Sequence, residues 1–380
     1  MTLSALSVAR PFARLRDPRR NHRKRHLLID IIVIALCAVL CGANDWQQIV
    51  TFGQRRHDWL KTFLALPNGI PSHDTFERVF ERLDPEAFLG CFQSWVETLT
   101  HALGLKHVAI DGKTMRHSGQ AGLKLKPLHI VSAWATEHQL TLGQVAVDDK
   151  SNEITAIPRL LELLDVHGAL VTIDAMGCQK AIAQQIVAGG GDYVLSVKAN
   201  QKNLLADVQE TVTEALENGQ EGVTYETYET KDKEHGRDET RSYLIVTDLD
   251  KIRNRQEWAE LKVVGMYTST RIIGGQRSDE AHYFIGSRSA DARVYGDVLR
   301  GHWGIENNLH WQLDVTFGED ANRVQGRQGA QNFALLRRLA LSLLKRHGSK
   351  ASMACKRLAA ALDPAFLEEI LSAGCNLGNR

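Results

Sequence analysis

Apolar positions recur at helical intervals through the first hundred residues of the chain, between breaks made by Pro and Gly. Helices are predicted over Asp30–Leu40, over Asn44–Leu66, and from Asp84, a capping residue, through Leu103. Ser72 or Asp74 can cap a further helix after the break. This segment fits either a helix-turn-helix that reads DNA or an ordinary pair of antiparallel helices.

From Val108 onward the pattern changes to short β-branched runs that alternate with amphipathic ones. The order predicts a mixed sheet with helices packed on it, which is an α/β fold. The predicted strands are 107–111, 128–136, 140–147, 169–174 and 193–197, and the predicted helices are 154–165 and 178–188.

After residue 201 the pattern shifts again. An acidic helix is predicted over 204–218, and short β-rich runs follow, such as 241–246 and 262–267. The helical pattern resumes at Asp291 and persists to the end. We interpret 201–288 as a β-rich insertion into the α/β core.

The net charge of +1 conceals two strongly basic stretches. Between Met1 and His26, eight Arg and Lys residues accompany a single acid, Asp17. Between Ala321 and Leu362, nine basic residues accompany no acid at all. Both stretches predict contact with a polyanion such as nucleic acid.

Six cysteines are scattered along the chain without a CxxC pair. This usage predicts a reducing compartment and excludes a disulfide framework or a zinc knuckle. The apolar run Leu27–Ala43 follows a basic flank and therefore resembles a signal peptide. Because Asp30 interrupts the run, which is also short for a bilayer span, we interpret it as a buried helix and expect a cytoplasmic protein.

Two carboxylates follow predicted strands in the same way. Asp111 comes after Val108–Ile110, and Asp174 comes after Leu170–Ile173. A glycine comes shortly after each aspartate, and its conformational freedom permits the chain to turn sharply as it leaves the strand. If the strands are neighbours, the carboxylates lie side by side and repel each other unless a proton or a hard divalent cation intervenes.

The segment from Leu299 to Val315 is polar and aromatic where a core helix would be apolar. We expect it to line a site, and it offers a third carboxylate. The residues that share one side at helical spacing are Arg300, Trp303, Glu306 or Asn307, and His310.

Five ordered motifs resemble the bacterial insertion-sequence DDE transposases of the H-repeat-associated (ISAs-type) family. They are AIDGKT, TIDAMGCQ, DYVLSVKANQ, HGRDETR and HWGIENNLHWQLDVTFGED. The resemblance covers nearly the whole chain and includes LPNGIPSHDTFERVF near the front. It implies an RNase H-like catalytic core, two divalent metal ions (Mg²⁺ or Mn²⁺) and cut-and-paste or related DNA strand transfer.

On this resemblance, the catalytic and metal-binding carboxylates are Asp111, Asp174 and Glu306, and Asp111 would bridge the two ions. Rivals to Glu306 are Asp314, Glu319 and Asp320. The implied division of the chain is a helical N-terminal DNA-binding, transposase-associated domain (1–104), the RNase H-like DDE core (105–200 and 289–347), the β-rich insertion (201–288) and a helical C-terminal tail (348–380).

The chain departs from this group around the third carboxylate. Relatives carry Tyr and Arg before the glutamate and Lys after it, at positions that are here Leu299, His302 and Leu313. Arg300 with His302 would replace the first pair, and His310 or Lys198 the lysine. The candidate DNA-contacting residues are Lys113, Lys198, Arg237, Arg300, His302, Trp303 and His310.

Each of these candidates has a plainer alternative. Lys113 and Lys198 can pair with the site carboxylates instead of phosphate. His235 and Arg237 fit a surface turn equally well. Trp303 is more typical of a packing residue than of a platform that stacks on a flipped base.

The resemblance thus implies a DNA transposase that acts on duplex DNA, at terminal inverted repeats and at a target, and works as a homodimer, with no membrane as partner. Two alternatives stay open. One is a metal-dependent nuclease on the same fold that does not join strands. The other is a catalytically silent DNA-binding protein descended from a transposase.

Overall fold

Helices from both ends of the chain pack against one central sheet. The computed structural model describes residues 7–20, 24–119, 126–147, 152–217, 224–234, 237–322, 324 and 326–373. The helices are α1 Leu28–Leu40, α2 Trp46–Arg55, α3 His57–Leu60, α4 His73–Phe80, α5 Pro85–Leu103, α6 Glu153–Leu161, α7 Lys180–Ala188, α8 Lys202–Glu217, α9 Ala292–Ile305, α10 Arg327–Arg346, α11 Met353–Leu362 and α12 Pro364–Ala373. The strands are β1 His107–Met115, β2 Leu128–Ala135, β3 Leu140–Val147, β4 Leu170–Ile173, β5 Asp192–Val197, β6 Tyr225–Glu234, β7 Arg237–Val246, β8 Val263–Ile273 and β9 Gln276–Gly286.

The first half of the sheet has the expected mixed topology. Its strand order is β3-β2-β1-β4-β5, in which β1 is antiparallel to β2 and parallel to β4. The pair β2–β3 is antiparallel, and β4–β5 is parallel. This is the order and direction of strands in an RNase H-like sheet, so the predicted fold class is confirmed.

The β-rich segment continues this sheet instead of forming a separate body. Strands β6 to β9 make an antiparallel meander, and β9 pairs with β5. Its buried aromatic side chains cover one face of α9, where the rings of Phe284 and Tyr295 stack with centroids 5.5 Å apart. The meander therefore fixes the position of α9, which leads into the candidate site.

The apolar run near the N-terminus is a buried helix, as expected. Nearly every residue of α1 is buried, and the Asp30 carboxylate accepts a hydrogen bond from the Leu66 backbone N–H (3.0 Å). No helix in the described part of the chain is long and apolar enough to cross a membrane. The helix predicted over Asn44–Leu66 is shorter than expected: α2 ends at Arg55, α3 ends at Leu60, and Leu66 has a positive φ.

The expectation that the C-terminal basic stretch contacts a polyanion is wrong for much of its length. Arg337, Arg338, Lys345, Lys356 and Arg357 are all buried. Arg357 donates to the Val39 carbonyl (2.9 Å) at the end of α1, and Lys356 donates to the Leu344 carbonyl (2.8 Å) at the end of α10. Arg357 and Lys356 thus donate hydrogen bonds to carbonyl groups in the last turn of a helix, where the intrahelical donors are missing.

Candidate metal centre

Strand register places Asp111 and Asp174 side by side. Ile110 of β1 pairs with Ile173 of β4, so the two following residues occupy neighbouring positions. Neighbouring strands lie about 4.8 Å apart. The predicted end of the first strand is wrong, because β1 continues to Met115 through pairing with β2. Asp111 therefore lies in the interior of β1, at the position where the neighbouring strand β4 ends.

The predicted helix around Glu306 changes its winding at that residue. The α-helical turns of α9 end at Ile305, and Glu306–His310 and Gln312–Thr316 are π-helical. Such π-helical turns are rare and occur frequently at functional sites. Buried Leu309 and Leu313 anchor the segment in the core.

His310 connects the third carboxylate to the first. Its ring is 3% exposed, and Nδ1 lies 3.1 Å from Oε2 of Glu306 and 3.5 Å from Oδ2 of Asp111. One ligand atom from each of the three residues falls in a group whose members lie within 4.8 Å of one another. Asp174 is not part of that group. Its Oδ1 accepts hydrogen bonds from the backbone N–H groups of Met176 (3.0 Å) and Gly177 (3.4 Å).

The electrostatics of the site favour a bound cation. Burial raises the pKa of Asp111 to about 6; Asp174 and Glu153 also raise it, and His310 and a backbone N–H oppose the rise. Burial and then Glu153 raise the pKa of Asp174. The hydrogen bond from His310 holds the pKa of Glu306 below its usual value. Carboxylates that raise each other's pKa in this way gain most from a metal ion.

Glu153 is a fourth carboxylate beside the site, and no motif in the sequence singles it out. It lies in the first turn of α6, and its Oε1 is 2.6 Å from Nε2 of His129 on β2. Gly112 leaves room for both side chains, because a Cβ there would overlap the Glu153 carboxylate and the His129 ring. The available signal was an acid at the start of the helix that follows β3.

The rivals to Glu306 serve a different purpose. Asp314, Asp320 and Glu319 surround the amino group of Lys113, at 2.6, 3.2 and 3.7 Å. Glu319 is fully buried and also pairs with Arg338 at 2.9 Å. Lys113 therefore forms ion pairs with carboxylates, but with these three and not with the predicted site carboxylates Asp111, Asp174 and Glu306.

The predicted DNA-contacting residues do not form one surface. Arg300 pairs with Asp232 of β6, whereas Trp303 is 48% exposed. His302 points inward, with Nδ1 2.9 Å from Oγ1 of Thr172. Burial lowers the pKa of His302 to about 4, so its ring is neutral and is not a cation for phosphate.

Two further candidates lie elsewhere. Lys198 is exposed beside Asp174, whose pKa it lowers. The backbone of Arg237 starts β7 and pairs with Ile273 of β8, but its side chain lies outside the described residues, as does His235 altogether.

The donor set suits a hard divalent cation. Asp111 and Glu306 offer carboxylate oxygens, which Mg²⁺ and Mn²⁺ prefer, and the carboxylates of Asp174 and Glu153 lie near enough to raise the pKa of Asp111. His310 adds a nitrogen: within the described residues, its buried Nε2 has no hydrogen-bond partner. Imidazole is a typical ligand of Fe, Ni, Cu and Zn ions, whereas carboxylates suit Mg²⁺ and Mn²⁺.

Comparison with protein families matches most of the chain. Residues 9–96 match the family model described as DDE_Tnp_1-associated, and residues 103–343 match the Transposase DDE domain. The second match alone covers more than half of the chain.

Three relatives illustrate the similarity. The "H repeat-associated putative transposase YhhI" of Escherichia coli (strain K12) is 36% identical over 94% of this chain and 95% of that protein. "Putative transposase YncI" of Escherichia coli O157:H7 is 38% identical over 96% of this chain and 94% of that protein. The "Uncharacterized protein in dhlA 3'region" of Xanthobacter autotrophicus is 46% identical over 74% of this chain and 94% of that protein.

Proposed function

The chain belongs to the DDE transposase family, and from this premise we propose that it cuts phosphodiester bonds at the ends of an insertion sequence and joins the ends to target DNA. The observation that carries the proposal is the meeting of Asp111 with Glu306, which lie far apart in sequence and have ligand atoms within 4.8 Å of each other. Asp174 lies beside Asp111 on the neighbouring strand.

The carboxylates would hold two divalent ions, Mg²⁺ or Mn²⁺. Asp111, Glu306 and His310 would hold one ion, and Asp174 and Glu153, which raise the pKa of Asp111, would contribute to holding the other. Bound ions would supply Lewis acidity at the phosphate and at the attacking and leaving oxygens.

The residues of the chain prepare this site before DNA arrives. The imidazole of His310 orients the Glu306 carboxylate, and the N–H groups of Met176 and Gly177 orient that of Asp174. Partial burial of Asp111, whose side chain is 25% exposed, limits competition from water. This preorganisation stabilises the developing charge without rearrangement during the reaction.

The partner of this site would be duplex DNA, both at the terminal inverted repeats and at the target, and two copies of the chain would bring two ends together. The free thiols among the described cysteines suit a reducing compartment, and we assign the protein to the cytoplasm. A nuclease that does not join strands is the second candidate function. A silent descendant is disfavoured, because, in addition to burial, Asp174 and Glu153 still raise the pKa of Asp111, and Glu153 that of Asp174, and the opposing groups of the chain offset the rise only in part.

A strand-transfer assay tests the function. The purified chain, with Mg²⁺, receives duplexes that carry the repeats flanking its gene and a plasmid target. We expect cut ends to be joined to the plasmid, and Asp111→Asn to abolish both steps while DNA binding is unchanged. Asp250→Asn, at an exposed acid remote in sequence from the site, is the matched control and should keep full activity.

Cleavage without joining would favour the nuclease. Equal activity of the wild type and Asp111→Asn would contradict the assignment of the site, and loss of binding together with cleavage would indicate a structural role for Asp111.

A further inference from the structure

A basic cleft lies between the segment that precedes α1 and the helix α4. Its volume is about 860 Å³. One wall carries Arg20 and Arg25, and the other carries Thr75, Arg78 and Arg82. The three residues of the second wall are spaced i, i+3 and i+7, and therefore lie on one side of the helix and its last turn.

The charge of the cleft is mostly uncompensated. No acid lines it within the described residues. Arg78 approaches Asp74 at 3.7 Å, in an exposed pair that contributes little. Arg20, Arg25 and Arg82 are exposed and form no ion pair with any part of the chain that the structure describes. At least three positive charges therefore face the same space.

A fourth arginine holds the first wall in shape. The Arg19 guanidinium donates to the Asp17 carboxylate (2.8 Å) and to the His26 carbonyl (2.7 Å). It thereby ties Asp17, which precedes Arg20, to His26, which follows Arg25. A binding surface that is already ordered loses less entropy when its ligand arrives.

The second wall is attached to the catalytic core. The amide group of Asn332, on α10, donates to the carbonyls of Phe80 (2.8 Å) and Leu83 (2.9 Å), at the end of α4. A ligand in the cleft is thus held at a fixed place relative to the candidate metal centre.

We propose that this cleft binds the phosphodiester backbone of duplex DNA. The proposal rests on the proposed function and names the surface outside the metal centre by which the chain holds its DNA. The helical part of this wall, from Thr75 to Phe80, rises about 7.5 Å at 1.5 Å per residue and Arg82 follows it, so the wall exceeds a single phosphate group and suits a run of them. Exposed arginines that line an open cleft suit a long polyanion because they reach phosphate oxygens without leaving water.

The test measures DNA affinity of the full chain against salt concentration. The probe is a 30-base-pair duplex, and the variant is Arg25→Gln/Arg82→Gln. Each lost phosphate contact lowers the slope of log affinity against log salt by about 0.9, so the double variant should lose about 1.8. If the two curves meet near 1 M salt, the affinity at 0.1 M should fall about 60-fold.

A matched double variant, Arg255→Gln/Lys262→Gln, removes two exposed charges from the β-rich region. Its slope of log affinity against log salt should differ from that of the wild type by no more than the value of about 0.3 phosphate contacts. Thermal unfolding checks that each variant is folded. An unchanged slope in Arg25→Gln/Arg82→Gln would overturn the proposal. If the double variant lost affinity for ATP or inorganic triphosphate but still bound the duplex, the cleft would take a small polyphosphate, and the proposal would be overturned. A loss of affinity confined to RNA would also overturn it.

The two proposals fail separately. If the cleft variant loses DNA affinity but the wild type never cleaves, the transposase function fails and the cleft stands. If the wild type joins strands and the cleft variant binds as tightly as before, the cleft fails and the function stands.

Discussion

Replacing Lys113 by methionine tests whether this lysine stabilises the fold or contacts DNA. Its side chain is 8% exposed, and its amino group lies 2.6 Å from Asp314, 3.2 Å from Asp320 and 3.7 Å from Glu319. Methionine keeps most of the apolar stem and removes the charge. Three carboxylates would then face one another without a shared cation.

The expected cost is about 3 kcal/mol. Removal of one partner from a buried ion pair costs about 3–5 kcal/mol, because the remaining charge stays buried. The lower end applies here, since Asp314 and Asp320 are 35% and 27% exposed and keep part of their hydration. Glu319 also keeps Arg338 at 2.9 Å. A loss of this size is a large share of the roughly 5–15 kcal/mol of a typical domain.

Urea denaturation followed by circular dichroism measures the effect. Lys262→Met, at an exposed lysine, is the control and should change stability by less than about 0.5 kcal/mol. Adding Asp314→Asn to Lys113→Met should recover part of the loss. The prediction is wrong if Lys113→Met unfolds at the same urea concentration as the wild type and instead lowers the slope of log DNA affinity against log salt by the value of about one phosphate contact. The lysine would then contact a DNA phosphate.

Three more predictions concern the residues around the metal centre. Burial lowers the pKa of His302 to about 4, so on acidification the unfolded chain takes up a proton that the folded chain does not. Between pH 7 and 5 the wild type should therefore lose about 2 kcal/mol more stability than His302→Gln. Parallel curves of stability against pH for the two proteins would exclude this. Gly112→Ala should destabilise the protein by about 1–3 kcal/mol in thermal unfolding, because its Cβ would overlap the Glu153 carboxylate; wild-type stability would show that the carboxylate moves freely. Glu153→Gln should weaken binding of one of two Mn²⁺ ions at least about tenfold in calorimetry, and an unchanged isotherm would remove Glu153 from the site.

The placement of the first two carboxylates directly after apolar strand runs could be predicted from local rules, but their pairing is conditional on the two strands being neighbours, which only the fold shows. Apolar runs end at Asp111 and Asp174, and parallel neighbours place equivalent strand positions together. The choice of Glu306 over Asp314 depended on the family resemblance alone. Helical spacing does not distinguish them, and the ion pair of Asp314 with Lys113 forms only in the folded chain.

Other features depend on packing between distant segments and leave no local trace. The extension of β1 beyond Asp111 requires β2 as its partner, and Glu153 reaches the site only because α6 begins at the edge of the sheet. The composition of the C-terminal basic stretch predicts an exposed surface. Arg357 instead donates a hydrogen bond to a carbonyl of α1, more than three hundred residues earlier in the chain. Composition cannot separate a cation that meets DNA from one that caps a buried helix.

Localised oxidation tests most directly where the ions bind. Fe²⁺ replaces Mg²⁺ in the purified chain, ascorbate and peroxide start hydroxyl-radical cleavage of the backbone, and mass spectrometry maps the cuts. We expect cuts near Asp111, Asp174 and Glu306, which excess Mg²⁺ suppresses and which Asp111→Asn abolishes. Cuts elsewhere, or the same cuts in Asp111→Asn, would contradict a metal centre built on these carboxylates.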